Sequence, residues 1–249
     1  MSELTAMYAL WYRELKIFFR EKSRIIGSIV QPVLWIVVFG SGLGTSVSVS
    51  GLNYQAFIFP GIIAMTAIFT SIFFGTYIVW DRKIDFLKEV LVAPVSRTTI
   101  FIGKVLGGCT DTLLQIIIIM FLGFLLSIPL TIFSVLLSIP IILLMTIGLV
   151  SIGLILGSMM SSFEGFNLIV SFLIFPMFFL SGALFPIDNL PSWLYVFTRI
   201  NPITYAVDAL RYVILGVSVF PLALNLSVIL AFDAAFVILG TIAFKKMKL

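Results

Sequence analysis

Two carboxylates lie deep within apolar stretches of this chain, where they are the acids available for carrying a proton. Asp111 and Asp233 each lie about twelve residues inside an apolar run that is long enough to cross a bilayer as a helix. A charge at the bilayer centre costs roughly 3 kcal/mol, so each carboxylate must face neighbouring helices, pair with another group or be protonated. Proton coupling is one chemistry open to these residues. The alternative is a structural role, with hydrogen bonds to neighbours such as Gln115.

Other kinds of chemistry lack the residues they need. The chain has no histidine, and its single cysteine, Cys109, has no partner within the chain for a disulfide or a metal site. A phosphate-binding loop of the form GxxxxGK[ST] is also missing, because Lys104 is followed by Val105 and no glycine lies five residues before Gly103. We therefore expect no catalytic, cofactor or metal site in this chain. Any ATP and its Mg must then be bound by a separate partner subunit.

The composition is that of a membrane protein. Of the 249 residues 61% are apolar and 10% are charged, whereas an average globular protein is about 25% charged. We predict an all-α polytopic protein with six transmembrane helices, forming a single domain over residues 1–249 in the lipid bilayer. The six stretches long enough to cross a bilayer are residues 25–43, 57–79, 99–128, 132–160, 166–184 and 222–244.

The basic residues are distributed asymmetrically. The net charge of +4 would suggest nucleic acid as a partner of a soluble protein, but here the positions of the charges predict membrane orientation instead and no nucleic acid partner. The positive-inside rule places the side with most Lys and Arg in the cytoplasm, which predicts that both termini are cytoplasmic. Arg199 and Arg211 are the exceptions, in the last outer segment. The basic residues on the predicted cytoplasmic side are Arg13, Lys16, Arg20, Lys22, Arg24, Arg82, Lys83, Lys88, Arg97, Lys104, Lys245, Lys246 and Lys248.

Residues 1–24 have the pattern of an interfacial helix. Apolar side chains recur every three or four residues, from Leu4 through Trp11 to Phe18, and face away from charged residues such as Arg13 and Glu14. This spacing predicts an amphipathic helix that lies along the membrane surface. It is either a simple anchor or a lever that links a cytoplasmic partner to the membrane helices.

The segment 81–97 is the largest internal piece on the basic side of the predicted topology. We predict a short helix that ends before Pro94, since the residue preceding a proline is pushed out of helical geometry. Its apolar residues would dock into a groove of a partner or rest in the membrane interface, and the plainest alternative is a solvated connector. The predicted apolar face consists of Phe86, Leu87, Val90 and Leu91, and its polar margin of Asp85, Lys88 and Glu89.

The segment 185–221 is too apolar for a free loop and too interrupted by proline for a spanning helix. We predict two short helices that dip into the outer leaflet, because backbone at membrane depth must be hydrogen-bonded or buried in protein. Asp208 and Arg211 lie three residues apart on the second of them and are predicted to pair. The residues that mark this re-entrant segment are Pro186, Pro191, Asn201, Pro202, Asp208 and Arg211.

The same region carries the clearest resemblance to a known family. The run FPMFFLSGALFPIDNLPSWLYVFTRINPITYAVDALR, residues 175–211, resembles the signature of type-2 ABC transporter permeases, especially daunorubicin-resistance and nodulation-factor export permeases. WYRELKIFFREKSR near the start, QPVLWIVVFGSGLG at residues 31–44 and LVAPVSRTTIFIGKVLGG at residues 91–108 are similar to other parts of that family, in the same order.

The resemblance implies a permease subunit of an ATP-driven exporter in a prokaryotic cell membrane. Such a subunit forms a dimer, here expected to be a homodimer, and docks two copies of a separate ABC ATPase. The family also places a coupling helix in the segment 81–97 and re-entrant helices in the segment 185–221. The implied substrate is a lipophilic drug-like molecule, a lipid-linked compound or a saccharide. The alternative function is a proton-coupled secondary transporter or channel that uses Asp111 and Asp233.

Overall fold

The computed structural model describes residues 2–40, 42, 48–49, 51–188 and 190–247, and almost all of them are helical. A short hairpin of β1 (Ser48–Val49) and β2 (Leu52–Asn53) directly precedes the helix that begins at Tyr54. The helices are α1 (Glu3–Arg20), α2 (Lys22–Trp35) with a π-helical continuation (Ile36–Gly40), α3 (Tyr54–Phe73), α4 (Thr76–Lys83), α5 (Phe86–Val92), α6 (Arg97–Leu125), α7 (Ile132–Met159), α8 (Phe163–Phe179), α9 (Ser192–Ile200), α10 (Pro202–Leu215) and α11 (Leu222–Lys246).

Four helical segments in the described residues are long and apolar enough to cross a membrane. They are Tyr54–Lys83, in which α3 continues into α4, and the helices α6, α7 and α11. A fifth span results if α1 and the segment Ile25–Gly40, which meet at a bend of 76°, are taken together. The helix α8 is apolar but has 17 residues, about 25 Å at 1.5 Å per residue, which is shorter than the bilayer core. The structure thus supports an all-α polytopic protein, whereas the count of six is not reached by length alone.

The boundaries of the predicted spans agree with the helices to within a few residues in most places. The exceptions have local causes. The second predicted span, residues 57–79, is longer in the structure and is interrupted at Phe74 and Gly75. The fifth predicted span extends to residue 184, but α8 ends at Phe179 and a turn follows in which Gly182 has a φ of 69°. The predicted end of the first span, residue 43, lies outside the described residues.

Side chains at the helix starts provide the missing hydrogen bonds of the first turns. Ser2, Ser96 and Ser162 accept a backbone N–H from the residue three positions later, at the starts of α1, α6 and α8. Thr131 and Ser134 form a reciprocal capping box at the start of α7. These caps explain why short polar residues divide an otherwise continuous apolar sequence into separate helices.

The helix α3 forms the centre of the bundle and contacts α6, α7, α8 and α10. Close approach between helices depends on glycine where α3 passes into α4. A methyl group on Gly75 would overlap the backbone of Gly153 in α7, and one on Gly157 would overlap the backbone of Gly75. Small residues at such positions allow membrane helices to touch through their backbones. The junction of α3 and α4 is therefore held directly against α7.

Candidate functional site

Four charged side chains are gathered at the end of the bundle that carries α1, α5 and the end of α11, which we call the basic end. The charged cluster consists of Arg13 and Glu14 from α1, Asp81 from α4 and Lys104 from α6. The Lys104 ammonium donates to Asp81 at 2.7 Å and to Glu14 at 3.1 Å. Arg13 donates to the same two carboxylates at 2.7 and 2.8 Å. Two cations thus face two anions, and the cluster joins three separate helices.

Burial makes this cluster sensitive to the loss of any member. The Lys104 side chain is fully buried, and those of Glu14 and Asp81 are 1% exposed. A buried charge is tolerated only if its partners compensate for the lost hydration. The second oxygen of Glu14 has no hydrogen-bond partner among the described residues, so Lys104 and Arg13 provide most of the compensation. Arg13 also lies over the ring of Phe86 at 4.0 Å, which extends the cluster to α5.

The charged cluster is not among the sites predicted from the sequence. Lys104 enters that prediction only as a basic residue of the third span, and Glu14 only as part of the polar face of α1. A signal is available, because a lysine five residues inside an apolar helix needs an acidic partner, and both Glu14 and Asp81 precede or follow predicted spans on the basic side. Which acid is used depends on how α1 packs against α6, and the sequence does not state that contact.

Further polar contacts tie the helix ends together at the basic end. Arg82 in α4 donates to the carbonyls of Ser158 at 2.7 Å and Met160 at 2.5 Å, at the end of α7. Cations are favourable there because the carbonyls at a helix C-terminus carry partial negative charge. Hydrogen bonds from Thr99 and Ser96 lower the pKa of Glu3 and dock α1 on the start of α6. Arg97 in turn donates to the carbonyl of Met247 at the end of α11.

The predicted apolar face of α5 is covered by other parts of the chain. Leu87 is 3% exposed, Val90 and Leu91 pack against the same cluster of apolar side chains, and Phe86 lies under Arg13. The predicted docking face thus points into the protein, where it joins an apolar cluster with residues of α1, α4, α6, α7 and α11. The outer surface of the segment carries other side chains. They include Ile84, Asp85, Lys88, Glu89 and Val92, with an exposed ion pair of 2.6 Å between Asp85 and Lys88.

A cavity of about 600 Å³ lies beside α3 and α4. Its walls come from α2, α3, α4, α6 and α8, and it runs along α3 and α4 from Met65 to Trp80, about 22 Å at 1.5 Å per residue. Five aromatic rings dominate the lining: Phe69, Phe73, Tyr77, Trp80 and Phe163. Hydroxyl and amide groups of Gln31, Thr66, Thr70 and Gln115 alternate with them, and Glu21 accepts a hydrogen bond of 2.6 Å from Tyr77. Such a lining suits an apolar molecule with a few hydrogen-bonding groups.

The two intramembrane acids lie in different surroundings. Asp111 accepts a hydrogen bond of 2.8 Å from Gln115, whose own oxygen accepts from Thr70 at 3.2 Å, so Asp111 lies one side chain behind the cavity wall. This is the structural contact expected for Asp111. Asp233 instead accepts the backbone N–H of Gly148 in α7 at 2.9 Å, and it is not among the cavity residues. The structure therefore does not bring the two acids to one site.

Asp208 and Arg211 do not form the predicted ion pair; both are described, and each has other partners. Asp208 accepts the backbone N–H groups of Val219 and Phe220 at 2.9 and 3.0 Å and the amide of Asn225 at 2.9 Å. Arg211 donates to the carbonyl of Gly182 at 2.9 Å and lies over the ring of Phe57 at 4.1 Å. The prediction was wrong because backbone groups at the ends of α8 and α11 compete for these side chains, and a helix pattern does not reveal them.

The other predicted residues of the segment 185–221 define its helix boundaries. Pro191 immediately precedes α9 and Pro202 is the first residue of α10, where a missing N–H costs nothing. Asn201 caps α10 and also donates to the carbonyl of Met177 at 2.6 Å. Pro186 lines a small cavity of about 70 Å³ beside Arg211. Two short helices are present as expected, and their depth in a membrane stays a prediction.

A bundle of apolar helices, with a long aromatic cavity and a polar junction at one end, defines a multi-pass membrane transport protein. Comparison with known proteins agrees. The model of the family described as ABC-2 type transporter matches residues 5–215. The chain belongs to this family and is a non-catalytic transport permease of the ABC class, whose members associate with an ABC ATPase.

Named relatives cover most of the chain. The putative transport permease ycf38 of Cyanophora paradoxa is 30% identical over 99% of this chain and 89% of its own length. The inner membrane transport permease YadH of Escherichia coli K12 is 29% identical over 93% of this chain and 91% of its own. Nodulation protein J of Rhizobium meliloti is 29% identical over 78% of this chain and 75% of its own.

Proposed function

We propose that this chain is the membrane-spanning subunit of an ATP-driven exporter. The observation that carries the proposal is the continuity between the cavity and the basic end. Residues of α4 line the cavity, and the same helix holds Asp81 of the charged cluster and leads directly into α5. A partner that moves α5 would therefore move one wall of the cavity. The ATP and Mg would be bound by two copies of the ATPase, with no cofactor in this chain.

The contacts at the basic end support six spans. Glu3 contacts Ser96, and Arg97 contacts the end of α11, so the beginning and the end of the described chain lie at the same end of the bundle. A chain that returns to its starting side crosses the membrane an even number of times. Together with the four long spans, α2 and α8 would give six. The positive-inside rule then makes the basic end cytoplasmic, in a prokaryotic cell membrane.

The cavity supports a lipophilic drug-like, lipid-linked or saccharide substrate. Aromatic rings offer faces that suit flat apolar groups as well as the C–H surfaces of sugar rings, and the hydroxyl and amide groups provide orientation. The cavity is partly open to the surface of the monomer, and a second copy of this chain would complete its enclosure. We therefore propose a homodimer that encloses the transport path.

ATP-dependent activity is expected only in the assembled complex. The purified chain should hydrolyse no ATP above background, whereas the complex with its ATPase in vesicles should couple ATP hydrolysis to substrate export. The measurement is phosphate release together with substrate accumulation, with an ATPase variant that lacks its phosphate-loop lysine as control. Hydrolysis by the isolated chain would refute the assignment, and so would ATP-independent transport driven by a proton gradient.

Transport driven by a proton gradient without ATP would indicate the alternative function, a proton-coupled carrier or channel. One set of hydrogen bonds favours this alternative, because it links Asp111 through Gln115 to Thr70 at the cavity wall. In that case Asp111→Asn would abolish transport driven by a proton gradient. In the exporter, the same substitution would keep the hydrogen bond of the amide oxygen to Gln115 and would leave the dependence on ATP unchanged.

The exposed surface of the segment 81–97 is proposed as the contact for the ATPase. Ile84 and Val92 are 52% and 74% exposed and are the apolar side chains that this surface offers to a partner. Ile84→Asp and Val92→Asp should each weaken ATPase binding about 30-fold, since central apolar contacts contribute about 2 kcal/mol or more. Binding would be measured by co-purification and titration in detergent.

Lys88→Ala is the matched control on the same surface, because its exposed pair with Asp85 contributes little. Leu87→Asp provides a second comparison and should reduce the amount of folded permease itself, because Leu87 is buried. If both the Ile84 and Val92 variants bind the ATPase normally, this surface is not the contact, and α1 becomes the better candidate for coupling.

A further inference from the structure

The end of α8 and the turn after it are held by side chains from other helices. Four backbone carbonyls in this stretch accept such hydrogen bonds. Asn201 donates to Met177 at 2.6 Å, Thr204 to Leu180 at 3.4 Å, Arg211 to Gly182 at 2.9 Å and Tyr54 to Leu184 at 3.1 Å. Backbone beyond a helix end has no partners of its own, so these donors determine where the turn lies.

This turn packs against α3 about one helical turn beyond the end of the cavity lining. The α3 wall ends at Met65, and Gly61 lies one helical turn further along α3. A methyl group on Gly61 would overlap the backbone of Ala183, so the turn touches α3 without any side chain between them. On the α8 side, the ring of Phe175 packs edge-on against Phe69, which lines the cavity. Ala183 is fully buried at this junction.

Arg211 is the charged donor among the four. Its side chain is buried, with 4% of the residue exposed, and its guanidinium is fixed between the Gly182 carbonyl and the face of Phe57. A guanidinium can stack on a ring and donate in its plane at the same time, which an ammonium or an amide does not reproduce. The same residue thus bridges α10, α3 and the turn. Asp208, one turn earlier on α10, holds the start of α11 instead.

We propose that Arg211 is a positioning residue that keeps the turn 180–184 closed over the outer end of the cavity, and that transport requires this contact to open. The inference rests on the proposed export function. It gives the DALR sequence at residues 208–211 two separate tasks: Asp208 fixes the last membrane helix, and Arg211 fixes the closure.

Access of a thiol reagent to the cavity tests this proposal. Thr66, in the lining near the closed end, would be changed to cysteine in a Cys109→Ser background, and intact cells would be treated with an impermeant maleimide. With Arg211 in place, labelling from outside should be slow. Arg211→Gln should increase the labelling rate at least 10-fold and lower the amount of substrate exported per ATP, and Arg211→Lys should give an intermediate rate.

Three further variants distinguish loss of the closure from misfolding and from an inverted orientation. Asp208→Asn, on the same helix, should reduce the yield of folded protein without increasing labelling at position 66. Tyr54→Phe removes a neighbouring hydrogen bond to the turn and should raise the labelling rate less than Arg211→Gln, which keeps the test available if the latter does not accumulate. Ser218→Cys, exposed between α10 and α11, reports which end faces outward.

Two results would contradict different parts of this proposal. If Arg211→Gln accumulates normally and the Thr66→Cys thiol is labelled at the parental rate, Arg211 does not hold the closure. If Ser218→Cys is labelled only in inverted vesicles, the orientation and the proposed export function fail. The Arg211 variants measured in those vesicles would still show whether the closure depends on Arg211.

Discussion

Replacing Lys104 with methionine is expected to remove most of the transport activity and to destabilise the purified protein by about 3 to 5 kcal/mol, the usual effect of leaving a buried charge without its partner. The side chains of Glu14 and Asp81 are 1% exposed, and both contact the Lys104 ammonium. Without it, Arg13 faces two carboxylates, and one negative charge is uncompensated. Thermal unfolding in detergent and export from vesicles would measure the two losses.

A second lysine of this chain provides a matched control. Lys88 also forms an ion pair, at 2.6 Å with Asp85, but these side chains are 60% and 70% exposed. Exposed pairs contribute between 0 and about 1 kcal/mol, so Lys88→Met should unfold at nearly the parental temperature. The two substitutions remove the same group from pairs of similar length. Their difference therefore measures the effect of burial.

Partial recovery by a second substitution would identify charge as the cause. Lys104→Met combined with Glu14→Gln restores equal numbers of positive and negative charges in the cluster, and a methionine fills most of the lysine volume. We expect this double variant to regain much of the lost stability while transport stays below the parental level, because α1 has lost a contact to α6. Equal stability of Lys104→Met and Lys88→Met would contradict the role given to the charged cluster.

Substitution of Gly75 with alanine is expected to have a comparably large effect through a different mechanism. Inserting a methyl group into a packed interior usually costs about 1 to 3 kcal/mol. Here the methyl meets the backbone of Gly153 and not a flexible side chain, so neither helix can accommodate it by a rotamer change. We expect an effect at or above the upper end of that range, with α4 displaced from α7. Protein yield, thermal unfolding and transport should all decrease.

Gly27→Ala is the control for the general effect of replacing a glycine with alanine in a helix. A methyl group on Gly27 in α2 would meet no atom within 4 Å, and alanine favours a helix over glycine by about 1 kcal/mol. Gly27→Ala should therefore be neutral or slightly stabilising. A Gly75→Ala variant with the parental unfolding temperature and full transport would show that α4 and α7 are not in backbone contact.

The charged cluster and the contact between Gly75 and Gly153 suggest how a movement at the basic end would reach the cavity. The charged cluster joins α4 to α1 and α6, and the glycine contact and Arg82 join it to α7. The helix α5 buries Leu87 in the same region. A movement of α5 would thus displace α4 together with its neighbours, and with them the aromatic side chains of Tyr77 and Trp80 in the cavity wall. This connection is the physical content of the proposed coupling.

Much of the architecture was predictable from the order of residues alone. Apolar runs of bilayer length marked α6, α7 and α11 to within three residues, because a helix in lipid must satisfy its own backbone and its length is set by bilayer thickness. The prolines of the segment 185–221 indicated two short helices in place of a spanning one, and the structure contains them as α9 and α10. The run of residues 175–211 indicated the family that residues 5–215 match.

The tertiary structure decided which side chains meet. Helical spacing showed that Phe86, Leu87, Val90 and Leu91 share a face, but the apolar cluster that this face joins also contains residues of α1, α7 and α11, which are far away in the sequence. Spacing also favoured a pair between Asp208 and Arg211, whereas in the structure both side chains form hydrogen bonds with backbone groups near the ends of other helices. The acidic partners of Lys104 likewise lie on other helices, α1 and α4. Periodicity describes one helix at a time, and the partner of a buried charge is determined by the packing of several.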